Sequence, residues 1–495
     1  MKKKIQIIFS LYILFFSFNF INLSAEQTTP KTLQYFIENQ EKIAYVEDTI
    51  IITLKEKNDS YLKYLEITYH FNIKHLYQNT YIANFDSTQF TMKHIMTKIH
   101  KYSEIKYAEP NYYFQHVALP TTEPLYNQQW AYTNQLYGIN ILDVWSETLG
   151  SADVVVAVLD SGLVINHPDL ANNIWINSGE INNDGLDNDG NGYIDDYMGW
   201  NFFSNNNNPI DNFGHGTFVS GIIAAEVNDV GITGTAPNTK IMNLRITNDI
   251  GEATLSSILD AINYALEKDV KIFNFSFVST SYNSTLEDLM RNADAIFVCG
   301  AGNDTNNNDN IPYYPASFNI DNVISVSSTD DEGELAWFSN YGVNSVHLAA
   351  PGDFILSTYL APTYHEYWAG TSFSTPFVTA TIALIHGEYP ELTILELKEA
   401  ILETTTTLPS LDGLLITGGI LNAHAAFTYF DPIIGDLNGD KKVTISDLII
   451  LRRHLAGIEL IDEELYINAD LNDDGFVTIS DLIKLRRSLA GLEEL

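Results

Sequence analysis

Five short strand-like runs recur through the middle of this 495-residue chain and restrict its fold more than any other feature. They lie at residues 154–159, 240–245, 271–275, 295–299 and 322–326, and helical stretches such as residues 254–268 separate them. Strands that alternate with helices predict an α/β fold, in which helices cover both faces of a parallel sheet. Functional residues of such folds gather at the carboxyl ends of the strands.

Three polar residues have neighbours that suit a shared chemical site. Asp160 directly follows the first run, His215 lies between two glycines at the start of an apolar stretch, and Ser372 lies in the turn Gly-Thr-Ser-Phe-Ser-Thr-Pro. A serine hydroxyl becomes an effective nucleophile when a histidine accepts its proton and a carboxylate fixes the tautomer of that histidine. Each motif alone also occurs as a helix cap, a structural histidine or an ordinary turn, so the prediction depends on their combination.

The chain order Asp160, His215, Ser372 and the three local motifs resemble those of the subtilisin-like serine proteases. The resemblance extends to Asn303, in the segment Gly-Ala-Gly-Asn, which matches the asparagine that donates to the oxyanion in that family. It implies a subtilisin-like fold and a serine endopeptidase. The alternative is a catalytically idle relative that binds a peptide or an inhibitor without cutting it, as part of a larger assembly. Binding a peptide does not, however, require all four of these residues.

The same resemblance implies where a substrate would bind. Ser276 and Phe277 stand on the strand that pairs with the substrate backbone, and Gly251 matches the facing strand, so the peptide would be held by β-addition. Tyr313 falls at the floor of the primary specificity pocket, where the family commonly has glycine, and would shorten that pocket. The alternative is that Tyr313 is an ordinary core aromatic residue.

Residues 1–25 are typical of a secretory signal, because three lysines precede an apolar run and Ala25 is the predicted last residue before cleavage. A retained membrane anchor is the alternative, since the run nearly reaches the ~20 residues that span a bilayer. The single cysteine, Cys299, excludes an intrachain disulfide. A secreted product would therefore depend on its core, and on bound metal, for stability.

Residues 26–118 alternate strand-like runs with one helical stretch, a pattern that predicts a small α+β unit. Its closing segment, residues 105–112, resembles the last strand of subtilase propeptides, which cover the active site and are removed by the enzyme. This resemblance implies a self-processed precursor, with the junction between His116 and Pro124. A permanent N-terminal domain is the alternative.

Acidic residues dominate the predicted catalytic domain, residues 119–430, which carries six basic and 38 acidic groups. This surplus argues against nucleic-acid or anionic-membrane partners. Within the domain, residues 183–196 place side-chain oxygens at alternate positions among glycines, and the predicted Ca²⁺ ligands are Asp187, Asp189, Asn191 and Asp196. A solvated acidic loop is the alternative, although so many carboxylates without a cation would repel one another.

Residues 431–495 contain an internal repeat with a period of 34 residues, at 436–457 and 470–491. Each copy has side-chain oxygens at loop positions 1, 3, 5 and 12, which is the chemistry of an EF-hand calcium loop, followed by a helix with leucines on one face. The predicted Ca²⁺ ligands are Asp436, Asn438, Asp440 and Asp447 in the first loop, and Asp470, Asn472, Asp474 and Asp481 in the second. A small all-α domain is expected.

The paired loops and their shared sequence resemble the dockerin domain of cellulosome-type assemblies, whose partner is a cohesin on a scaffold protein. The resemblance implies that eight residues contact that partner: Ile445, Ser446, Arg452, Arg453, Ile479, Ser480, Arg486 and Arg487. A calcium-stabilised tail without a partner is the alternative. Together the features predict a secreted, scaffold-associated endopeptidase that acts on protein or peptide substrates.

Overall fold

The computed structural model describes residues 34–38, 41–99, 101–112, 119–360, 363–472 and 475–492. The predicted signal segment, the residues around the predicted precursor junction at 113–118, and the predicted ligand Asp474 lie outside these ranges. The chain divides into two compact units, Met1–Val117 and Ala118–Leu495. No helix within the described ranges is both long enough and apolar enough to cross a membrane.

The first unit is an antiparallel sheet with two helices. Its strands follow the order β1-β2-β4-β3, and β5 also pairs with β2. The elements are β1 Gln34–Glu38, β2 Glu41–Leu54, α1 Asp59–Tyr69, β3 Asn72–Tyr77, β4 Thr80–Asn84, α2 Met92–Ile99 and β5 Ile105–Tyr112. Ile50 and Ile52 on β2 pack with Ile95 and Ile99 on α2, and all four are fully buried. This unit has the α+β character that the sequence predicts for residues 26–118.

A nine-stranded sheet organises the second unit, with the order β15-β16-β12-β11-β10-β9-β6-β8-β7. Neighbouring strands are parallel from β16 to β7, and β15 is antiparallel to β16. The strands are β6 Val155–Asp160, β7 Trp200–Asn201, β8 Lys240–Arg245, β9 Ile272–Phe275, β10 Ile296–Gly300, β11 Val323–Thr329, β12 Leu348–Pro351, β15 Thr406–Thr407 and β16 Gly419–Ile420. A separate hairpin is formed by β13 Ile355–Tyr359 and β14 Thr363–Trp368. The five predicted strands form a continuous block within the sheet, which confirms the predicted parallel fold.

Helices cover both faces of this sheet. They are α3 Trp130–Thr133, α4 Leu142–Glu147, α5 His215–Ala224, α6 Leu255–Glu267, α7 Ser284–Asn292, α8 Thr371–Glu388, α9 Ile394–Glu403 and α10 Ala423–Phe427. Val156 and Val158 of β6 belong to the apolar core that contains α5 and α8. Ala157 and Leu159 belong to the opposite core, with α6 and α7. Because successive side chains of a strand point to opposite faces, β6 is buried on both.

Cys299 lies near the end of β10 and is fully buried in the core on the α6 side. Burial in these apolar surroundings raises the pKa of its thiol. The chain's only thiol is therefore held in its protonated, unreactive form.

The tail of the second unit contains two helices of equal length, α11 Ile445–Leu455 and α12 Ile479–Leu489. Leu451 and Leu485 are fully buried in a small apolar core that the two helices share. Thr444 and Thr478 cap the two helices, each in a capping box with the aspartate three residues later. The predicted leucine faces therefore pack together and form a small helical domain.

Candidate active site

Asp160 and His215 form a hydrogen-bonded pair at the carboxyl edge of the sheet. Asp160 is the last residue of β6 and is buried, and both of its carboxylate oxygens lie 2.9 Å from Nδ1 of His215, the first residue of α5. The backbone N–H of Ser161 donates to the same carboxylate at 2.7 Å. A carboxylate on Nδ1 places the ring proton there, so Nε2 is the basic nitrogen.

The environment of His215 changes its acidity. Burial of the ring opposes the charged form, but the neighbouring Asp160 carboxylate, with a smaller contribution from Asp211, outweighs burial and raises the pKa of His215. The imidazolium that would form during proton transfer is therefore stabilised by these two carboxylates.

Asp211 positions the histidine, and the sequence reasoning missed it. Its carboxylate accepts from the backbone N–H groups of Phe213, Gly214 and Thr217, and from the hydroxyls of Ser161 and Thr217. These bonds fix the turn that ends at His215 and connect it to the end of β6. The signal that could have found it is an acidic residue four positions before a glycine-flanked histidine.

Ser372 is the second residue of α8, and its turn is bonded to the end of β9. The Ser372 Oγ–H donates to the carbonyl oxygen of Ser276 at 2.9 Å, and the Ser276 Oγ–H donates to the carbonyl oxygen of Ser372 at 2.8 Å. Phe373, the next residue, packs with its ring centroid 5.4 Å from that of His215. The serine hydroxyl is thus bonded to Ser276 in this structure, and a rotation of the Ser372 side chain is needed to direct it to the imidazole.

Asn303 lies beside the same turn, three residues after β10. Its Oδ1 accepts from the backbone N–H of Thr371 at 2.8 Å and from the Thr371 hydroxyl at 3.0 Å. Its Nδ2 lies 3.5 Å from the position that a Cβ would occupy on Gly370. Because the turn engages the amide oxygen of Asn303, its amide N–H₂ group remains available as a donor. This group lies beside Gly370, which is two residues before Ser372. That position suits an oxyanion donor.

The predicted substrate residues Gly251, Ser276 and Phe277 meet in one cavity of about 160 Å³ that also contains Asp160 and His215. Gly251 has φ +84°, and an added Cβ would lie 3.1 Å from the Phe213 ring. A second, larger cavity of about 430 Å³ adjoins it, with an apolar lining that includes Leu255, Phe277, Tyr314 and Phe318. The structure therefore brings these three residues to the edge of the Asp160–His215 pair.

Tyr313 lies beside Asn303 rather than in the core. Its ring is 2.9 Å from the position that a Cβ would take on Gly302, and its hydroxyl donates to Asp304 at 2.8 Å. The next residue, Tyr314, makes two backbone hydrogen bonds with Ser279, at 2.7 and 2.8 Å. These bonds fix the Tyr313 ring between the segment that follows β9 and the segment that contains Asn303.

The acidic insertion brings two of the four predicted Ca²⁺ ligands into one cluster of carboxylates. Asp187 and Asp189 lie with Glu180 so that one oxygen of each is within 4.8 Å of the others. Glu180, which the sequence reasoning missed, is 5% exposed, and its Oε2 has no hydrogen-bond partner among the described atoms. Asp196 lies in a buried network instead, where it accepts from Asn177, Tyr264 and the predicted ligand Asn191.

A second pair of buried carboxylates, Glu123 and Asp169, was also missed. Glu123 accepts from the backbone N–H groups of Asn228 and Asp229, and Asp169 accepts from that of Ile232. One oxygen of each carboxylate has no partner in the described part of the chain. Burial raises the pKa of both groups, that of Asp169 to about 7. Two buried acids around one loop, each with an unpaired oxygen, are suited to a cation with oxygen ligands.

The two tail loops are folded around their first and last carboxylates. Asp436 accepts from the backbone N–H groups of Gly439 and Lys441, and Asp470 accepts from that of Gly475. Asp447 and Asp481 close their loops by accepting from residues near the loop start. All eight predicted partner-contacting residues are exposed: Ile445, Ser446, Arg452, Arg453, Ile479, Ser480, Arg486 and Arg487.

A parallel α/β fold with serine, histidine and aspartate at its carboxyl edge defines a serine hydrolase. The sequence descriptor of the Subtilase family matches residues 151–420, so the chain belongs to that family and is a subtilisin-like serine protease. The descriptor of the Dockerin type I domain matches residues 434–490. The chain therefore combines a protease domain with a domain that implies docking to a cohesin-bearing, extracellular scaffold.

Relatives support the same assignment. The chain is 31% identical to the thermophilic serine proteinase of Bacillus sp. (strain AK1) over 413 residues, which cover 81% of this chain and 92% of the relative. It is 32% identical to thermitase of Thermoactinomyces vulgaris over 305 residues, or 60% of this chain and 98% of the relative. A protease structure from Pseudoalteromonas arctica PAMC 21717 superposes with a TM-score of 0.52 at 29% identity, covering 62% of this chain and 98% of that one.

The raised pKa of His215 predicts the acid limit of activity. Only the neutral imidazole accepts a proton, so kcat/KM should fall as the pH decreases through the pKa of His215, above the ordinary value of about 6.5. The pH profile of peptide hydrolysis measures this limit, and an NMR titration of His215 in the Ser372→Ala protein measures the pKa directly. Asp160→Asn should lower that pKa, and an unchanged titration would contradict the assigned cause.

Proposed function

We propose that the protease hydrolyses peptide bonds through Asp160, His215, Ser372 and Asn303. The observation that carries the proposal is the 2.9 Å contact of both Asp160 oxygens with His215 Nδ1, beside a turn that brings Ser372 next to Asn303. His215 Nε2 takes the Ser372 proton as Oγ attacks the peptide carbonyl, and Asn303 donates to the oxyanion. The protonated imidazole then gives its proton to the leaving amine, and water hydrolyses the acyl-enzyme by the same steps.

One observation favours the catalytically idle alternative, in which the fold grips a peptide or an inhibitor without cutting it. The Ser372 hydroxyl donates to Ser276, not to His215. This bond involves a single rotatable side chain, and catalytic hydrogen bonds commonly tighten only when substrate is bound. The retained Asp160–His215 pair and Asn303 therefore support the protease proposal more strongly.

Ser372→Ala should abolish hydrolysis of casein. In subtilisin-type enzymes, loss of the nucleophile lowers turnover about 10⁶-fold, and loss of an oxyanion donor, here Asn303→Ala, lowers it about 10²–10³-fold. Ser146→Ala, at an exposed serine on α4, is the matched control and should retain full activity. Casein cleavage by Ser372→Ala at the wild-type rate would exclude the proposal, and an inactive wild-type protein would support the idle alternative.

The first unit, residues 26–118, is proposed to be an inhibitory propeptide that this site removes, after a secretory signal at residues 1–25 directs export. Its α+β fold and its closing strand β5 support this role. Self-processing requires the same nucleophile, so the Ser372→Ala protein should accumulate as an uncut precursor. N-terminal sequencing of the wild-type product would locate the junction.

Tyr313 is proposed to shorten the primary pocket, so that the enzyme prefers a small side chain before the cleaved bond. Its ring lies against Gly302, directly before Asn303, and the hydrogen bond to Asp304 fixes it there. A substrate acylated on Ser372 must place that side chain between the segment after β9 and the segment of Asn303. The Tyr313 ring occupies part of this space.

Tyr313→Gly should therefore admit large side chains. For matched peptides with phenylalanine or alanine before the cleaved bond, we expect the ratio of their kcat/KM values to shift towards phenylalanine by about tenfold or more. Tyr313→Phe keeps the ring, and should leave the preference for alanine. If Tyr313→Gly leaves the ratio unchanged, Tyr313 does not limit the pocket.

Calcium is the proposed metal for the tail loops, for the cluster of Glu180, Asp187 and Asp189, and for the pair Glu123 and Asp169. Their donors are carboxylate oxygens, the ligands that calcium prefers. The unpaired oxygens of Glu123, Asp169 and Glu180 support the two sites in the protease domain, because a buried carboxylate oxygen without a partner is unfavourable. Asn191 and Asp196 are proposed as neighbours that shape the insertion.

Chelation should lower the melting temperature of the protease domain, because an ion that binds only the folded state stabilises it by mass action. All six tryptophans lie between residues 130 and 368, so tryptophan fluorescence of the inactive Ser372→Ala protein reports on this domain and not on the tail. Glu180→Gln and Asp169→Asn should each reduce the effect of chelator, and Asp143→Asn, at an exposed acid on α4, should not. A melting temperature that chelator leaves unchanged would contradict calcium in this domain.

The tail is proposed to bind a cohesin in a calcium-dependent manner and so to hold the protease on an extracellular scaffold. Its eight exposed recognition residues and the dockerin match support this role. Changing Ile445, Ser446, Ile479 and Ser480 together should remove cohesin binding and leave peptide hydrolysis intact.

A further inference from the structure

The two dockerin repeats differ at the sixth loop position, where the backbone turns into the left-handed region. Gly475 occupies this position in the second repeat with φ +83°, and Lys441 occupies it in the first with φ +62°. Glycine adopts this conformation freely, whereas a residue with a Cβ is disfavoured there. EF-hand loops use glycine at this position for that reason. The first repeat therefore retains an unfavourable residue, which calls for a compensating contact.

Lys441 makes that contact with the end of the protease domain. Its Nζ lies over two aromatic rings, 2.8 Å from the centroid of Tyr429 and 4.9 Å from that of Phe430. The two rings are themselves packed edge to face, with centroids 4.9 Å apart. An ammonium group over the face of an aromatic ring is attracted to the negative electrostatic potential of that face.

Acidic groups on α9 strengthen this contact. The hydroxyl of Tyr429 donates to Glu399 at 2.8 Å, which fixes the ring beneath the lysine. Burial lowers the pKa of the Lys441 ammonium group, and the nearby carboxylates of Glu399 and Glu403 partly oppose that effect. We use the name Lys441 clamp for the set of Lys441, Tyr429, Phe430 and Glu399.

The short connection between the two domains is fixed at both ends. Tyr389, at the end of α8, donates from its hydroxyl to Asp431 at 2.5 Å. Four residues later, the N–H of Gly435 donates to the carbonyl oxygen of Asn468 at 2.8 Å, within the tail. A linker of this length with bonds at each end, together with the clamp, holds the first loop against the protease domain.

The second loop cannot make the equivalent contact at its sixth position, because Gly475 has no side chain. A Cβ added at Gly475 would meet no described atom within 4 Å, so this side of the loop is open. Ile445 is the first residue of α11 and Ile479 is the first residue of α12, and their side chains are equally exposed to water, at 68% and 67%. Exposure to water does not therefore distinguish the two repeats, and access for a protein partner must be considered instead.

A protein partner needs more space than water does. A standard interface covers about 800 Å² on each partner, which corresponds to a disc of roughly 16 Å radius. Ile445 follows Lys441 by four residues, so the two lie within ~14 Å even in a fully extended chain. A footprint of that size centred on Ile445 and Ser446 would therefore extend to the Lys441 clamp, which contacts Tyr429 and Phe430 of the protease domain. A partner centred on Ile479 and Ser480 has Gly475 beside it, where an added Cβ would meet no described atom within 4 Å.

We propose that the Lys441 clamp seats the first repeat on the protease domain, so that the scaffold cohesin binds through the second repeat. This inference rests on the proposed docking function. Two repeats with nearly the same recognition residues are thereby made unequal, and the protease is presented to the scaffold in one orientation.

The test uses the full chain with Ser372→Ala, so that self-cleavage does not interfere, and purified cohesin modules with calcium. The first-repeat variant is Ile445→Glu with Ser446→Glu, and the second-repeat variant is Ile479→Glu with Ser480→Glu. Acidic residues are tolerated in the first turn of a helix, so folding should be retained. By calorimetry, we expect the second-repeat variant to bind at least 100-fold more weakly than the parent and the first-repeat variant to bind within threefold of it.

Removing the clamp should allow the first repeat to bind cohesin as well as the second. Lys441→Gly copies the second repeat at this position, and in its presence the second-repeat variant should recover binding to within about tenfold of the parent. Lys442→Gly changes the neighbouring exposed lysine and should restore nothing. Limited proteolysis gives an independent readout, because Lys441→Gly should increase cleavage at residues 431–435 and Lys442→Gly should not.

Two results would overturn the clamp while leaving docking intact: equal losses of binding in the two repeat variants, or no effect of Lys441→Gly on either binding or proteolysis. Failure of the docking function itself looks different. The parent would then bind no cohesin, or the variant with all four substitutions would still bind, and the inference would be lost with it.

Discussion

In a parallel sheet that is buried on both faces, polar side chains can interact with one another only where the strands end. The active site depends on this constraint, because its polar residues lie at the carboxyl edge of the sheet. Along β6, Val156 and Val158 enter one core and Ala157 and Leu159 enter the other, so Asp160 is the first residue of that strand free to act on another polar group. The adjacent strands β9 and β10 end next to it and lead to Ser276 and Asn303. Asp160, Ser276 and Asn303 therefore meet because three neighbouring strands end together, and their proposed roles are to orient the base, to support the nucleophile and to donate to the oxyanion.

The parts of this arrangement that the sequence predicts are those set by local patterns. Apolar runs located the five central strands, and α6 begins and ends within one residue of its predicted range because Thr254 caps it. The strands β7, β15 and β16 contain two residues each and have no pattern to detect. The motif around Ser372 identified that residue, but the direction of its hydroxyl is set by Ser276, 96 positions away.

The residues missed from the sequence share a physical reason. Asp211, Glu123 and Glu180 are ordinary acidic residues until the fold surrounds them, and Glu123 gains its backbone donors from residues more than 100 positions later. The three carboxylates differ in the number of hydrogen-bond donors that surround them. Asp211 has donors on both oxygens and orders a turn, whereas Glu123 and Glu180 each keep one oxygen without a partner among the described atoms. In a chain with a large acid surplus, the number of available donors thus separates a structural carboxylate from one suited to a cation.

The buried position of Cys299 makes the native protein unusually convenient for optical measurement. Reagents such as maleimides react with an accessible thiolate, and the only native thiol is fully buried and has a raised pKa. Cysteines introduced at one surface position of the protease domain and one of the tail would carry a donor and an acceptor dye, and Cys299 would not have to be replaced. Energy transfer between the dyes in single molecules would then report directly how the two domains are arranged, both free and on a scaffold.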